Sequence, residues 1–588
     1  MNSNTGADLV SLLHLRAAGD ASSKGSRFLG DGETETVRLG HAQLHHAAAV
    51  LGARLRHAIP DGRNVLLAYP PGLEFLVGFF GCIHAGCVPV PVALPHPRRG
   101  CERLRAIALD CGAAGLLTSA SGARVIRAAA VHDVTLDALP LVETDIDTQT
   151  PPPEARVRVR PEDVAFLQYT SGSTRSPRGV CVTHGNVMSN LAAIHEAEGN
   201  GPESCGVSWL PAYHDMGLIE GLLAPLYGGY DTVLFSHTAF LQRPMRWLRA
   251  ISRFRATVSG GPNFAFDACL RRVKDEDLAS LDLSAWQVAY CGSEPLRAAT
   301  LQAFSDTFSC CGFRASSLRP VYGLAEATLL VTASNPAASS PRYAEVSKPS
   351  LAEGRFVPST EGDNARTVVS CGKPARGVVI AVVEPGSTFP MPHGQIGEIV
   401  VAGPGVARGY FGPATRSASA FVQATIDGLS ALWLRTGDLG CLHEDELYVT
   451  GRAKDVIIVR GRKLHPQDIE FSVQRLDPHR IAGVAAFGRD EEEGEGIVVL
   501  AELAGGIHAA RAGGGSWQRW ADEIRAQVYR ENEVALASVA FVAPGGLHRT
   551  SSGKLMRYRC RETYADDRLT VIARFDVPYG MPLAVETP

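Results

Sequence analysis

The sequence predicts an α/β fold built largely on parallel sheets, and two patterns predict it. Short apolar runs rich in Val, Ile, Leu and Ala recur along the chain, and amphipathic stretches of helical period stand between them. Continuous rather than alternating apolar runs are what strands buried on both faces by crossover helices require. The chain has 588 residues, too many for one hydrophobic core, and its length corresponds to roughly three or four core-sized units. No internal repeat is visible.

Residues 41–59 place Leu44, Ala48, Leu51 and Leu55 on one helical face, and VLLAYP at 65–70 reads as the strand that follows. Residues 75–95 carry no formal charge, a stretch long enough to span a bilayer. Glu74 opens it, however, and Pro89, Pro91 and Pro95 interrupt its second half. It reads instead as a buried helix over about 72–85 and a short strand at 87–92, with no membrane insertion. DVAFLQY at 163–169, GVVIAVVE at 377–384 and GEIVVAG at 397–403 read as buried strands between helices. Residues 334–369, rich in Ser, Pro, Ala and Glu with little periodicity, read as a functional loop or a disordered insertion. GGIHAARAGGGS at 505–516 is a second flexible stretch, and the acidic run at 490–495 a solvated turn.

Composition narrows the classes of function. The 57 basic and 61 acidic side chains give a net charge of −4, which disfavours a nucleic-acid partner or a polybasic membrane arm. An anionic ligand must therefore be held by local groups. The 13 cysteines are scattered singly apart from Cys310 and Cys311. None has metal-ligand spacing, and reduced thiols in a cytoplasmic protein are expected. The N-terminal MNSNTGADLV lacks the basic and apolar regions of a signal peptide.

The strongest local signal is QYTSGSTRSPRGV at 168–180. A strand over Val164–Tyr169 enters a Gly/Ser/Thr loop, a second strand leaves at 180–183, and a helix carrying Val187, Leu191 and Ile194 follows. Small residues let backbone N–H groups approach a phosphate, and hydroxyls add donors. Thr170, Ser171, Gly172, Ser173 and Thr174 supply that chemistry and Arg178 adds charge; taken alone, the same residues also fit a polar surface loop. The loop is not the GxxxxGK[ST] of P-loop NTPases, and the GxG at Gly403–Gly405 lacks dinucleotide spacing.

This loop resembles the nucleotide-phosphate loop of the adenylate-forming superfamily of acyl-CoA synthetases, luciferases and peptide-synthetase adenylation domains. Four further matches follow in order: CGSEP (291–295), VYGLAEAT (321–328), LRTGDLG (434–440) with GRAKDVI (451–457), and LHRTSSGKLMR (547–557). Together they cover roughly residues 60 to 560. The resemblance implies ATP and Mg²⁺ as cofactors. It puts Gly292, Ser293, Glu294 and Pro295 on the adenine side, Tyr322 and Gly323 against the adenine, and Glu326 on the metal. Asp438 and Arg452 would hold the ribose, and Lys554 would bridge the reacting carboxylate and the α-phosphate. Outside this ordered set Asp438 would read as a turn aspartate and Lys554 as an exposed loop lysine. Arg175 and Arg178 depart from the commoner Gly and Lys of the loop; the second keeps the charge with a different geometry.

LLAYPPGLEFLVGFFGCIHAGCVPVPV (66–92), SWLPAYHDMGLIEGLLAPLYGG (208–229), SGGPNFAFD (259–267) and VRGRKLHPQDIE (459–470) resemble the fatty acyl-AMP ligases. These enzymes adenylate fatty acids and pass the acyl group to a carrier protein's phosphopantetheine thiol. Residues 334–369 occupy the place of that branch's insertion, ahead of Ser370-Cys371-Gly372. The resemblance gives His214 a role in positioning the carboxylate, against the alternative of a packed core histidine. Met216, Gly217, Ile219, Gly261, Phe264 and Phe266 are candidate acyl-tunnel residues, against ordinary core packing.

The resemblance implies a large N-terminal region over 1–453 and a small mobile α/β lid over 455–588, hinged at Lys454. The expected activity is conversion of a medium- or long-chain fatty acid to its acyl-adenylate, followed by transfer to an acyl carrier protein on a separate chain. A long-chain acyl-CoA synthetase and a catalytically silent nucleotide-binding protein are the competing expectations.

Overall fold

The computed structural model describes residues 6–576 apart from 61, 96–99, 132, 145, 151–156, 171–176, 360–363, 460–461, 478, 492–493, 505–516 and 551–552. Ser171, Gly172, Ser173 and Thr174 of the phosphate loop therefore lie outside the described residues, as does the 505–516 stretch.

Six parallel strands form the centre of the largest sheet. Their spatial order is Leu318–Gly323, Val288–Cys291, Val258–Gly261, Cys205–Ser208, Asp231–Phe235 and Gly25–Leu29. Antiparallel strands close both edges: Glu35–Gly40 on one side, Leu330–Ala333 and then Lys373–Pro374 on the other. A smaller parallel sheet runs Val88–Val92, Asn64–Ala68, Gly115–Thr118, Leu141–Glu143. The uncharged 75–95 stretch supplies the buried helix Glu74–His84 and the strand Val88–Val92. Among the described residues no helix is long and apolar enough to cross a membrane. The helix His41–Ala58 buries Leu44, Ala48, Leu51 and Leu55, the face its periodicity marked.

Two expectations need correction. GVVIAVVE and GEIVVAG form the strands Val379–Val383 and Gly397–Ala402, which pair with each other antiparallel instead of alternating with helices. The connection between them is too short and too rich in Gly and Pro to carry a crossover helix. They belong to a five-stranded sheet with Leu429–His443, Phe421–Ile426 and Glu446–Arg452. Residues 334–369 are not a structureless loop either. Tyr343–Ser347 and Ala365–Val369 pair antiparallel, and a short helix, Lys348–Ala352, lies between them. Val346, Leu351, Phe356 and Val368 bury themselves against Cys441 and Tyr448. Runs of five residues with one or two apolar anchors are too short for a periodicity signal.

The C-terminal domain has its own core. The sheet order is Ile481–Glu491, Gly494–Leu503, Leu536–Val542, Val571–Asp576. The helices Pro466–Leu476 and Trp517–Asn532 cover it through Ile469, Val473, Trp520, Ile524 and Val528. Lys454 is exposed in a turn between Arg452, the last residue of the preceding sheet, and the strand Ile457–Val459.

Candidate active site

Ligands of open α/β sheets bind beyond the carboxyl ends of the parallel strands. Four such ends carry the candidate residues here. The Cys205–Ser208 strand runs into His214 and Asp215, Val258–Gly261 into Phe264, Val288–Cys291 into Gly292–Pro295, and Leu318–Gly323 into Glu326.

Thr170 begins the phosphate loop and Arg178 ends it, closed by a hydrogen bond from Thr170 N to Arg178 O (3.4 Å). Gln168 Nε2, on the strand before the loop, donates to Tyr213 O (2.8 Å), tying the loop to the His214 segment. Arg103 Nη2 donates to Thr170 O (3.3 Å). The helix after the loop, His184–Glu198, begins in a reciprocal cap in which Thr183 and Asn186 exchange hydrogen bonds.

Glu326 stands beside this loop. Tyr410 Oη donates to its Oε1 (2.8 Å), Ala407 N donates to its carbonyl (2.9 Å), and the Arg178 guanidinium lies over the Tyr410 ring, 5.4 Å from its centroid. The GPGVARGYF segment holds Tyr410 there. It pairs with the strand after the phosphate loop through Cys181 N to Gly409 O (2.8 Å) and Phe411 N to Gly179 O (2.7 Å). Burial pushes the Glu326 carboxyl up, against the Tyr410 hydrogen bond, so a cation beside it would offset a real desolvation cost. Among the described residues no cluster of three or more His, Cys, Asp or Glu could hold a metal. One hard carboxylate next to a phosphate loop suits Mg²⁺, which keeps waters and substrate phosphates as its other ligands.

On the opposite side, Asp438 binds two partners at once. Tyr322 Oη donates to Oδ2 (2.8 Å) and Arg452 Nε to Oδ1 (3.0 Å). Tyr322 is therefore anchored at its hydroxyl, with its ring lining a cavity shared with Ser293 and Gly323. Ser293 holds a left-handed backbone, φ 70°, strain of the kind that accumulates at functional loops. Gly292 passes close to the neighbouring strand: a Cβ there would lie 2.8 Å from Val321 O. Glu294 Oε1 accepts from Phe264 N (2.6 Å), and Pro295 lines the cleft between the domains.

The C-terminal domain completes the site. Lys554 sits on a tight turn in which Lys554 N donates to Thr550 Oγ1 (3.0 Å) and Thr550 N to Lys554 O (2.8 Å). Gly553 takes φ 86°, and a Cβ there would lie 3.1 Å from the Phe264 ring, so the two domains touch at this turn. Burial lowers the Lys554 ammonium, opposed by the nearby carboxylates of Asp215, Glu294 and Asp438 and reinforced by Arg452. Lys554 in turn helps burial drive His214 down to about 3, with Arg103 and His237 adding to it. At neutral pH His214 is thus an uncharged hydrogen-bonding group close to Lys554. The lysine motif has been carried into the cleft defined by the four strand ends.

The AMP-binding enzyme model matches residues 20–411. A medium-chain-fatty-acid–[acyl-carrier-protein] ligase of Moorena producens, JamA, is 36% identical over 583 residues, covering 95% of each chain. The structure of fatty acyl-adenylate ligases from E. coli and L. pneumophila matches with a TM-score of 0.85 at 33% identity, over 95% of this chain and 98% of that one. The L. pneumophila ligase in complex with acyl adenylate and pyrophosphate matches with a TM-score of 0.74 at 34% identity, over 97% and 98%. The chain is a fatty acyl-AMP ligase of the AMP-binding enzyme family.

The ligase distributes its expected tunnel residues unevenly. Met216 lines the cavity beside Tyr322, and Phe264 lines the interdomain cleft. Gly217 and Gly261 are points of close approach: a Cβ would lie 2.1 Å from Pro211 O and 2.8 Å from the Trp209 ring, respectively. Ile219 and Phe266 are fully buried in two different packed cores and line neither cavity. Phe266 packs edge-on against Trp247 and Phe304, which is core packing.

Tyr410, Asp215 and Arg103 were not singled out by the sequence. The only signal for Tyr410 is the glycine-rich segment that carries it, with Gly403 and Gly409 at φ 143° and 137°. If Glu326 takes Mg²⁺, Tyr410→Phe should weaken adenylation about tenfold, since a hydrogen bond to a charged group is worth ~1.5–3 kcal/mol. A Mg²⁺ titration of pyrophosphate exchange measures it, and unchanged Mg²⁺ dependence would show that Tyr410 merely fills space.

Proposed function

We propose that this ligase activates a medium- to long-chain fatty acid with ATP and Mg²⁺ and passes the acyl group to the phosphopantetheine thiol of a separate acyl carrier protein. The convergence of Lys554 with His214, Asp438 and Arg452 across the two domains, with Glu326 close to the same Arg452, carries this reading. A carboxylate oxygen attacks the α-phosphorus and pyrophosphate leaves. Lys554 stabilises the charge that develops between them, and neutral His214 orients the carboxylate. Thr170, the loop that follows it and Arg178 cradle the phosphates. Asp438 exchanges a present hydrogen bond for the ribose hydroxyls. Mg²⁺ at Glu326 neutralises phosphate charge when bound. The thiol then attacks the acyl carbonyl and AMP leaves.

The second step needs a different lid orientation, with Lys454 as hinge between the 1–453 region and the 455–588 lid. Two contacts from the 334–369 insertion would resist that motion. Arg366 Nη1 pairs with Asp468 Oδ2 (2.9 Å), and Lys348 Nζ donates to Glu531 O (3.5 Å). Both reach from the insertion to the lid. The protein would act in the cytoplasm, where thiols such as its cysteines stay reduced.

The test is a panel of fatty acids assayed by pyrophosphate exchange. A buried methylene contributes about 0.8 kcal/mol, so removing two should lower kcat/KM about tenfold while the cavity is being filled. Acetate or an amino acid as best substrate would overturn the fatty-acid reading.

A further inference from the structure

A cavity of about 40 Å³ lies beside the catalytic strand ends, between the strands Val288–Cys291 and Leu318–Gly323 and the π-helix Met216–Leu223. Ser293, Tyr322 and Gly323 line its catalytic end. The i→i+5 winding of a π-helix keeps residues roughly four to five apart on one face, so Met216 and Glu220 line the same cavity. Val288, Val321, Leu329 and Leu330 make its walls apolar.

The far end is polar. Strand register sets Arg319 beside Tyr290, four residues before Gly323, which at ~3.3 Å per residue is about 13 Å from the catalytic end. There Glu198 and Glu220 both line the cavity, close enough for the charge of one to raise the other. Asn200 Nδ2 donates to Glu198 Oε2 (2.5 Å). Burial pushes both carboxyls up, Glu220 to about 7 and Glu198 further, and Arg319 favours the charged form of Glu198. A proton shared between the two carboxyls would relieve their repulsion, and one cation, Arg319, lies alongside. Arg319 Nη2 donates to Pro336 O (3.0 Å), while its Nε is buried without a hydrogen-bond partner.

An apolar chain end pressed against this group would strip water from two carboxyls and a guanidinium and return nothing. A hydroxyl would donate to the carboxylate and accept from the protonated partner or from Arg319 Nε. We propose that the cavity takes an acyl chain of medium length whose distal end carries a hydroxyl, recognised by Glu220, Glu198 and Arg319. This rests on the acid-activating reading above and names its substrate class.

The experiment compares decanoic and ω-hydroxydecanoic acid in pyrophosphate exchange by the full-length enzyme. The hydroxy acid should be preferred about tenfold in kcat/KM, the factor that ~1.4 kcal/mol represents. Glu220→Leu should lower kcat/KM for the hydroxy acid and raise it for decanoic acid, abolishing the preference. Should that variant fail to fold, Glu220→Gln gives the same readout, since an amide cannot share a proton with Glu198, and the preference should shrink several-fold. Equal use of the two acids by the unmodified enzyme, or a preference that survives either substitution, would overturn the inference while leaving acid activation standing. Absence of exchange with every fatty acid would overturn both.

Discussion

Replacing Lys554 with alanine should slow adenylation about 10²–10³-fold, the usual cost of removing one preorganised charge-stabilising group. The setting of the lysine suits that proposed role. Its turn is closed by Thr550, its ammonium lies among the carboxylates of Asp215, Glu294 and Asp438, and burial makes its charge costly until those groups and a substrate phosphate offset it. The fold should not depend on it. The C-terminal core is built from Ile469, Val473, Val499, Ile524 and Phe541, none of which rests on the lysine. Pyrophosphate exchange by Lys554→Ala, with the melting temperature as control, measures the effect; activity within a few-fold of the unmodified enzyme would remove Lys554 from the chemistry.

Bridging 334–369 with a short Gly/Ser linker should leave adenylation largely intact and raise acyl transfer to free CoA by up to about 100-fold, the population shift that ~2.7 kcal/mol of lid bias represents. The two contacts from the insertion to the lid do not supply all of this. Arg366 and Asp468 are both partly exposed, and such pairs are worth about 0.2–1 kcal/mol. Arg366→Ala alone should therefore raise CoA transfer only a few-fold. The remainder would come from the body of the insertion, whose Val346, Leu351 and Phe356 brace it against the sheet bearing Asp438. A carrier protein can recover the thiol-accepting state through surface contacts that CoA cannot make, because a ligand shifts an equilibrium only by differential affinity. Unchanged CoA transfer after the deletion would make the insertion a passive surface element.

The candidate site was legible where its residues cluster in short motifs: Asp438, Arg452 and Lys554 lie within runs that resemble known ones. What the sequence hid is what distant segments do to one another. Tyr410 reaches Glu326 from 84 residues away, and nothing in GYF marks it as a carboxylate's partner. Ile219 and Phe266 looked like tunnel residues because an apolar side chain near a site reads the same whether it faces a ligand or a core. The antiparallel sheet around Gly397–Ala402 was misread for a related reason: its continuous apolar run is buried on both faces, and burial alone does not reveal strand direction. Glu198 and Glu220 sit on separate helical elements, and nothing in the sequence pairs them.

The proposed destination of the acyl-adenylate is a carrier protein. It is tested most directly by giving the unmodified enzyme ATP, Mg²⁺ and its best fatty acid, with phosphopantetheinylated carrier protein or free CoA as acceptor. Acyl transfer to the carrier, with acyl-CoA formed at about one-hundredth of that rate, is the predicted result. Rapid acyl-CoA synthesis would contradict transfer to a carrier and make the chain a fatty acyl-CoA synthetase.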